Sequence, residues 1–259
     1  MSIMERFKLT NKVAIMTGGA SGLGKAMADA LSEAGAKLVI ADLNGEAADR
    51  VAKDLEERHG VPAISVEVNV TNEKQVEAMV DKVIKTFGQI DILFNNAGIG
   101  SHEKVENMTY ETWKKQLDVN LNSMFLVSNA VGKYMRAQNR GVIINTSSMS
   151  GIIVNTPQPQ AAYNTSKAGV IMFTKSLAIE WAEHGIRVNT IAPGYMKTDL
   201  TREYYEDNGD KVKKWNELTP MKRPGTPDEL GGLAIYLASD ASSFVTGSVF
   251  TVDGGYTAQ

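Results

Sequence analysis

Apolar positions along the chain follow two alternating patterns. Short, nearly unbroken runs (Val13-Ala14-Ile15-Met16, Lys37 to Asp42, Ala63 to Val70, Ile90 to Phe94) are separated by longer stretches with apolar residues every three or four positions. Such runs suit strands covered on both faces; the longer spacing suits helices with one buried face. The first helical stretch passes through Ala26, Met27, Ala30 and Leu31 to Gly35, a predicted C-cap. A charged helix is predicted from Gly45 to His59. Another is capped by Thr71 or Asn72 and runs to Phe87. The second half predicts a helix from Tyr110 to Ala137, a strand from Val142 to Thr146 and a helix from Ala161 to His184. A sixth strand, Ile186 to Ile191, ends at Pro193-Gly194, and a helix from Pro227 to Ala238 precedes a seventh strand, Ser248 to Val252. Alternating strands and helices form parallel βαβ units with right-handed crossovers. The expectation is one α/β domain over residues 1–259, a doubly wound parallel sheet of seven strands with helices on both faces. Residues 195–218 break the pattern, being rich in charge and tyrosine without a clean core face. They are predicted to form a mobile lid, with a plain surface helix pair as the alternative.

Composition narrows the partners. A chain of 259 residues can bury the core of one large domain, and 43% hydrophobic with 22% charged residues is ordinary for a globular protein. A net charge of −3 supplies no broad basic field, so nucleic acid is not an expected partner. The absence of cysteine removes disulfides, thiolate metal sites and cysteine nucleophiles together. His59, His102 and His184 are too scattered for a zinc motif, and no metal is expected. Met1 to Asn11 lacks the apolar core of a signal peptide, and no apolar run is long enough to cross a bilayer. A cytoplasmic protein without a membrane partner is therefore expected. Phe7 and Leu9 are candidates for either the core or a subunit contact.

Thr17-Gly18-Gly19-Ala20-Ser21-Gly22-Leu23-Gly24 sits at a predicted strand-to-helix turn. Glycines let the backbone approach a pyrophosphate, and free N–H groups at a helix start attract anions. The spacing, Gly-x-x-x-Gly-x-Gly, differs from the commoner dinucleotide fingerprint. Asp42 ends the second strand, where an adenosine ribose would lie. Its carboxylate can accept from both ribose hydroxyls and would repel a 2′-phosphate. No lysine or arginine precedes Gly24 in the turn, and Leu43-Asn44 follow the aspartate. NAD is predicted over NADP; a helix-capping role for Asp42 is the compatible alternative.

Tyr163 and Lys167 are four residues apart, one helical turn, and so share a face. A nearby ammonium favours the phenolate. Bringing a phenol from about 10 to about 7 requires roughly 4 kcal/mol and would make it a general base for an alcohol.

These segments, in this order, resemble the short-chain dehydrogenases/reductases over nearly the whole chain: TGGASGLG at 17–24, NNAG at 95–98, Asn120, Ser147-Ser148, YNTSK at 163–167 and PGYMKT at 193–198. The resemblance implies a Rossmann-type sheet with the cofactor across the carboxyl ends of its strands, in a homotetramer. It implies Tyr163 as catalytic acid/base, Ser148 holding the substrate oxygen, Lys167 binding the nicotinamide ribose and lowering the tyrosine, and Asn120 anchoring a water in the proton path. The implied cofactor site comprises Gly18, Ser21, Gly22, Leu23, Gly24, Asp42, Asn69, Val70, Asn96, Ala97, Gly98, Tyr163, Lys167, Pro193, Gly194, Met196 and Thr198. Thr198 would take the carboxamide, and Asn96 would also hold the central sheet. Two departures stand out. Asn69 replaces an aspartate common in the family, its amide oxygen being expected still to accept from adenine. The interval from Ser148 to Tyr163 is two residues longer than usual. Ser150 therefore competes for the serine role, with Ser148 preferred because it directly follows the fifth strand.

The loop Ile152 to Gln160 resembles those of short-chain polyol dehydrogenases and ketose reductases. Amide side chains both donate and accept, which suits a substrate with a hydroxyl on each carbon. Ser148, Ser150, Asn155, Gln160, Tyr163 and Tyr195 are the candidate substrate contacts. The expected function is NAD-dependent interconversion of a secondary alcohol and a ketone on a sugar alcohol, ketose or sugar acid. Gluconate 5-dehydrogenase-like activity is the nearest alternative. A 3-oxoacyl-carrier-protein reductase would predict NADP preference and a basic docking patch. A non-catalytic NAD-binding regulatory protein is the alternative of a different class, against which Asn120, Ser148, Tyr163 and Lys167 occurring together argue.

Overall fold

Every residue of β1 (Val13–Thr17) is buried, and its side chains alternate between two cores. Val13 and Ile15 join one apolar cluster, Ala14 and Met16 the other, as expected of a strand covered on both faces. The computed structural model describes residues 2–198, 201, 205 and 209–259. With β1 run β2 (Lys37–Asp42), β3 (Ala63–Glu67), β4 (Ile92–Asn95), β5 (Gly141–Thr146), β6 (Ile186–Pro193) and β7 (Val249–Val252). They form one sheet in the order β3-β2-β1-β4-β5-β6-β7, parallel throughout. The chain reverses its winding direction between β1 and β4. That switch point opens a crevice at the carboxyl ends of the strands, where open α/β sheets bind ligands.

One face of the sheet is covered by α1 (Gly22–Glu33) and α2 (Gly45–His59), through Met27, Leu31, Val51 and Leu55. The other is covered by α3 (Glu73–Phe87), through Met79 and Val83. The chain continues with α4 (Tyr110–Leu117), α5 (Ser123–Gln138), α6 (Ala161–Trp181), α7 (Asp210–Leu218) and α8 (Gly231–Ala238). Val131, Met135, Leu177 and Trp181 of α5 and α6 complete the core beneath α3, while Ala234 and Leu237 of α8 join the core beneath α1. Leu9 is fully buried in the α1 core, and Phe7 packs against Tyr236 with ring centroids 6.3 Å apart.

Several boundaries differ from the sequence expectation. β3 stops at Glu67 because Asn69 turns the chain: its Oδ1 accepts from Thr71 N at 3.0 Å and Thr71 Oγ1 at 2.8 Å. β4 begins at Ile92, since the Ile90 backbone pairs instead with the Gln138 amide. Asn72, not Thr71, caps α3, accepting from Gln75 N at 3.2 Å. The helix expected from Tyr110 to Ala137 is divided by a wide π turn at Asp118–Asn122, a distortion frequent at functional sites. The helix expected to reach His184 ends at Trp181, and a 3₁₀ turn precedes Gly185. Of the predicted lid, residues 199, 200, 202–204 and 206–208 lie outside the described residues. Its α7 has a buried side after all, formed by Val212 and Trp215. Among the described residues no helix is long and apolar enough to cross a membrane.

Candidate active site

The glycine turn joins β1 to α1 at the switch point. Asn96 secures it from the end of β4: Nδ2 donates to the carbonyls of Thr17 (3.2 Å) and Gly18 (3.1 Å), and Oδ1 accepts from Thr146 Oγ1 at 3.3 Å. Thr17 Oγ1 accepts from the backbone N–H groups of Asn96 and Ala97 at 2.9 and 3.2 Å. Gly24 is enclosed, and a Cβ there would lie 2.1 Å from Gly18 O and 2.5 Å from Asn96 Nδ2. At Gly22, by contrast, an added Cβ would meet only the Thr198 side chain, at an ordinary contact distance of 3.7 Å. At Gly22 the turn borders a cavity that Lys25, Lys197 and Thr198 also line, which fits the phosphates of a dinucleotide. Ser21 is exposed at the N-cap of α1, and Leu23 packs against the core. On the opposite wall Gly194 N donates to Val252 O at 3.0 Å, continuing β6 past Pro193. Met196 is buried and bridges to Gly225. Thr198 N donates to Thr201 Oγ1 at 2.9 Å.

Asp42 accepts from Ala20 N at 3.1 Å and from Asn44 N at 3.0 Å, so both carboxylate oxygens are held. Helix capping at α2 is done by Asn44, whose Oδ1 accepts from Ala47 N at 3.0 Å. Glu67 lies beside Asp42 in strand register and leans over Gly45. Together with Glu46 these residues line an acidic trough that contains no lysine or arginine among the described residues. Asn69 Oδ1 already accepts from both Thr71 N and Thr71 Oγ1, the two donors that share its lone pairs. Val70 turns its side chain into the core.

The acid–base candidates converge beyond the carboxyl ends of β4 and β5. Lys167 is 3% exposed, and its Nζ donates to Thr146 O at 2.9 Å. It stands 5.6 Å from the centroid of the Tyr163 ring, so α6 places ammonium and phenol in one space. Burial pulls the lysine down to about 8. Burial also raises the Tyr163 phenol, while the Ser148 hydroxyl acts in the opposite direction. In the protein alone, then, the phenol is less acidic than in water, contrary to the sequence expectation. Desolvation penalises the phenolate, and here it outweighs the Ser148 hydrogen bond.

Asn120 lies in the π turn and is fully buried. Its Oδ1 accepts from Ile99 N at 2.8 Å, and its Nδ2 donates to Ile99 O at 2.9 Å and Ser166 Oγ at 3.1 Å. A Cβ on Gly98 would lie 3.3 Å from Asn120 Oδ1 and 3.5 Å from Lys167 Nζ. Only glycine leaves the space between those two groups open.

Ser148 and Ser150 are both buried, and Ser150 N and Ser150 Oγ lie 3.1 and 3.2 Å from Ser148 Oγ. They differ in direction. Ser148 faces Tyr163, whereas Ser150 Oγ donates to Asn155 Oδ1 at 2.8 Å. Gln160 Nε2 contacts Ser150 Oγ at 3.0 Å and the side-chain oxygens of Asn155 and Asn164 at 2.8 Å each. Asn155 Nδ2 in turn donates to Tyr195 OH at 2.8 Å. The expected substrate contacts are therefore gathered at one place, bonded chiefly to one another.

Residues 18–257 match the family model described as Enoyl-(Acyl carrier protein) reductase. Sorbose reductase SOU1 of Candida albicans is 43% identical over 99% of this chain and 90% of its own. The chain belongs to the short-chain dehydrogenase/reductase family. Within that family it is also 43% identical to a probable NADP-dependent mannitol dehydrogenase of Yarrowia lipolytica, over 98% of this chain and 91% of the relative. The galactitol 2-dehydrogenase of Rhizobium johnstonii shares 41% over 99% of both. The crystal structure of gox2181 superposes with a TM-score of 0.95 at 47% identity, covering 100% of both chains. Oxidoreductases acting on the alcohol groups of polyols are thus the relatives of this short-chain dehydrogenase/reductase, and a nicotinamide dinucleotide is the family's cofactor.

Sequence reasoning did not single out Gln158, Trp215, Glu67 or Thr146. Gln158 lies within the loop that composition marked, but nothing in the sequence separates it from its neighbouring amides. Val212 and Trp215, three apart, were a weak helical signal within a charged segment. Glu67 and Thr146 acquire their places only through strand register.

Proposed function

We propose that the protein is an NAD-dependent dehydrogenase interconverting a secondary hydroxyl and a ketone on a polyol, ketose or sugar acid. The observation that carries this reading is the array of buried amides and hydroxyls (Ser150, Asn155, Gln160) directly before Tyr163. An apolar alcohol would call for an apolar wall; a substrate bearing many hydroxyls calls for donors and acceptors at fixed places. When bound, the nicotinamide supplies the hydride acceptor or donor. Gly18, Ser21, Gly22, Leu23 and Gly24 would cradle its pyrophosphate, with Asp42 at the adenosine ribose and Asn69-Val70 at the adenine. Asn96, Ala97, Gly98, Pro193, Gly194, Met196 and Thr198 would line its nicotinamide half.

Tyr163 takes the hydroxyl proton in oxidation and returns it to the oxygen in reduction. Ser148 donates to that oxygen as negative charge grows on it, an interaction stronger in the transition state than in the ground state. Lys167 stabilises the phenolate and holds the ribose. Asn120 continues the proton path past Gly98. Tyr195 and α7 belong to the cover over the substrate. The acidic trough of Asp42, Glu46 and Glu67 supports NAD, since a 2′-phosphate would meet carboxylates and no cation. The reading includes a cytoplasmic homotetramer; Phe125, Met172 and Ile179, exposed on α5 and α6, are apolar surface for a subunit contact.

The test is absorbance at 340 nm with purified protein, NAD or NADP, and a panel of polyols and sugar acids. Turnover of a polyol with NAD favoured over NADP is the expected result. Turnover restricted to acetoacetyl thioesters with NADPH would overturn both substrate and cofactor.

A further inference from the structure

Gln158 is 6% exposed, yet both ends of its amide are engaged far from its own segment. Its Oε1 accepts the indole N–H of Trp215 at 2.9 Å. Its Nε2 donates to Tyr195 OH at 3.0 Å and to Gln160 Oε1 at 3.2 Å. Trp215 stacks on Tyr195, with ring centroids 4.3 Å apart and planes inclined by 14°, and Tyr256 meets Tyr195 edge-on at 5.6 Å. A continuous line of hydrogen bonds therefore runs from α7 to the catalytic serine: Trp215, Gln158, Tyr195, Asn155, Ser150, Ser148.

Donor and acceptor roles along this line are interlocked. Tyr195 OH donates to Thr156 O at 3.3 Å and so accepts from both Asn155 Nδ2 and Gln158 Nε2. Asn155 Oδ1 must then face Ser150 Oγ and Gln160 Nε2, the arrangement observed. An indole N–H can only donate, so Trp215 fixes which end of the Gln158 amide faces Tyr195. We propose that Gln158 is a positioning residue that locks Tyr195 and α7 onto the substrate loop and thereby sets the donor–acceptor orientation of Asn155, Ser150 and Gln160. The proposal rests on the polyol reading above and deepens it. Discrimination for hydroxyl-rich substrates then depends on a side chain whose own polar atoms face protein, not substrate. A substrate with few hydroxyls does not read that orientation and is indifferent to it.

The experiment compares wild type with Gln158→Leu, using NAD with sorbitol and with 2-butanol. Sorbitol KM should rise about tenfold or more as the orientation of Asn155, Ser150 and Gln160 is lost, with kcat changed by less than about threefold. The kcat/KM for 2-butanol should stay within about twofold, as should NADH affinity by fluorescence titration. ¹⁹F NMR of 5-fluorotryptophan-labelled protein should show the Trp215 resonance moving in Gln158→Leu while those of Trp113 and Trp181 stay in place; Trp215→Phe assigns it. Gln158→Asn, which keeps an amide but shortens its reach, should shift the same readouts in the same direction and serves if the leucine variant does not fold. Equal losses for both alcohols, weakened NADH binding, or an unmoved Trp215 resonance would overturn the proposal. Absence of polyol turnover in the wild type would instead refute the substrate reading. The lock would then be judged by the Trp215 resonance alone, which needs no substrate.

Discussion

Lys167 Nζ donates to the Thr146 carbonyl at 2.9 Å, which sets the lysine of α6 against the last residue of β5. That bond aims the ammonium into the site, but burial opposes its charge and pulls it from 10.5 to about 8.

A stability consequence follows with a definite sign. Between about 8 and 10.5 the unfolded chain holds a proton on this lysine that the folded, cofactor-free protein has lost. Stability from this group therefore rises with pH across that window and is lowest below it. Lys167→Met should raise the stability of the cofactor-free protein at pH 7 by about 1–2 kcal/mol, the relief of the buried charge being partly offset by the lost Thr146 bond. Thermal unfolding at several pH values checks this; a variant less stable than wild type at pH 7 would contradict it. The same variant should be inactive.

Tyr163→Phe should lower turnover by roughly 10²–10⁴-fold, a loss far larger than any change in NADH affinity. Because burial raises the Tyr163 phenol, the base form is scarce at neutral pH. Alcohol oxidation should accelerate as pH rises above neutrality, and ketone reduction should slow. Initial rates in both directions across pH test this, and identical profiles would refute the assignment.

Gly24→Ala would push a methyl against Gly18 O and Asn96 Nδ2, at 2.1 and 2.5 Å. The backbone of the turn must shift, at a cost of roughly 1–3 kcal/mol. Cofactor affinity should fall about tenfold or more while the far end of the sheet stays intact. Calorimetric titration of NADH, with hydrogen exchange of β7, separates this from general unfolding.

Acid sensitivity should be traceable to Asp29, a residue of α1 bonded to the end of α2. Burial raises its carboxyl, but hydrogen bonds from His59 at 2.7 Å and Arg58 at 2.6 Å prevail and hold it below its ordinary value. Its contribution is present near neutrality and is lost as pH falls through its folded value. Asp29→Asn should cost up to about 1 kcal/mol at pH 7, in the range of exposed ion pairs. The difference from wild type should shrink as pH falls below the ordinary range of an aspartate. A difference that persists in acid would exclude the ion pair as its source.

Much of the molecule is readable along the chain. Strands covered on both faces must be apolar throughout, so β1, β2 and β5 stand out from composition alone, and the helices between them follow from their three-to-four spacing. The glycine turn and the Tyr163–Lys167 pair are equally local, being set by backbone sterics and one turn of helix. Asn120 shows where such reading stops. A window of sequence treats it as a poor helix residue, whereas the fold makes a π turn that carries it inward to Ile99 and Ser166.

The linear chain thus determines the alternation of elements, the glycine turn between β1 and α1 and the residue types able to move a proton. Tertiary structure alone decides the electrostatic balance at Tyr163, because desolvation depends on what is packed around it. It alone brings Glu67 beside Asp42, through the register of β2 and β3. It alone joins Gln158 to Trp215 across 57 residues. Each of these is an interaction between groups distant in sequence, and no local pattern encodes the position of a partner supplied by another element.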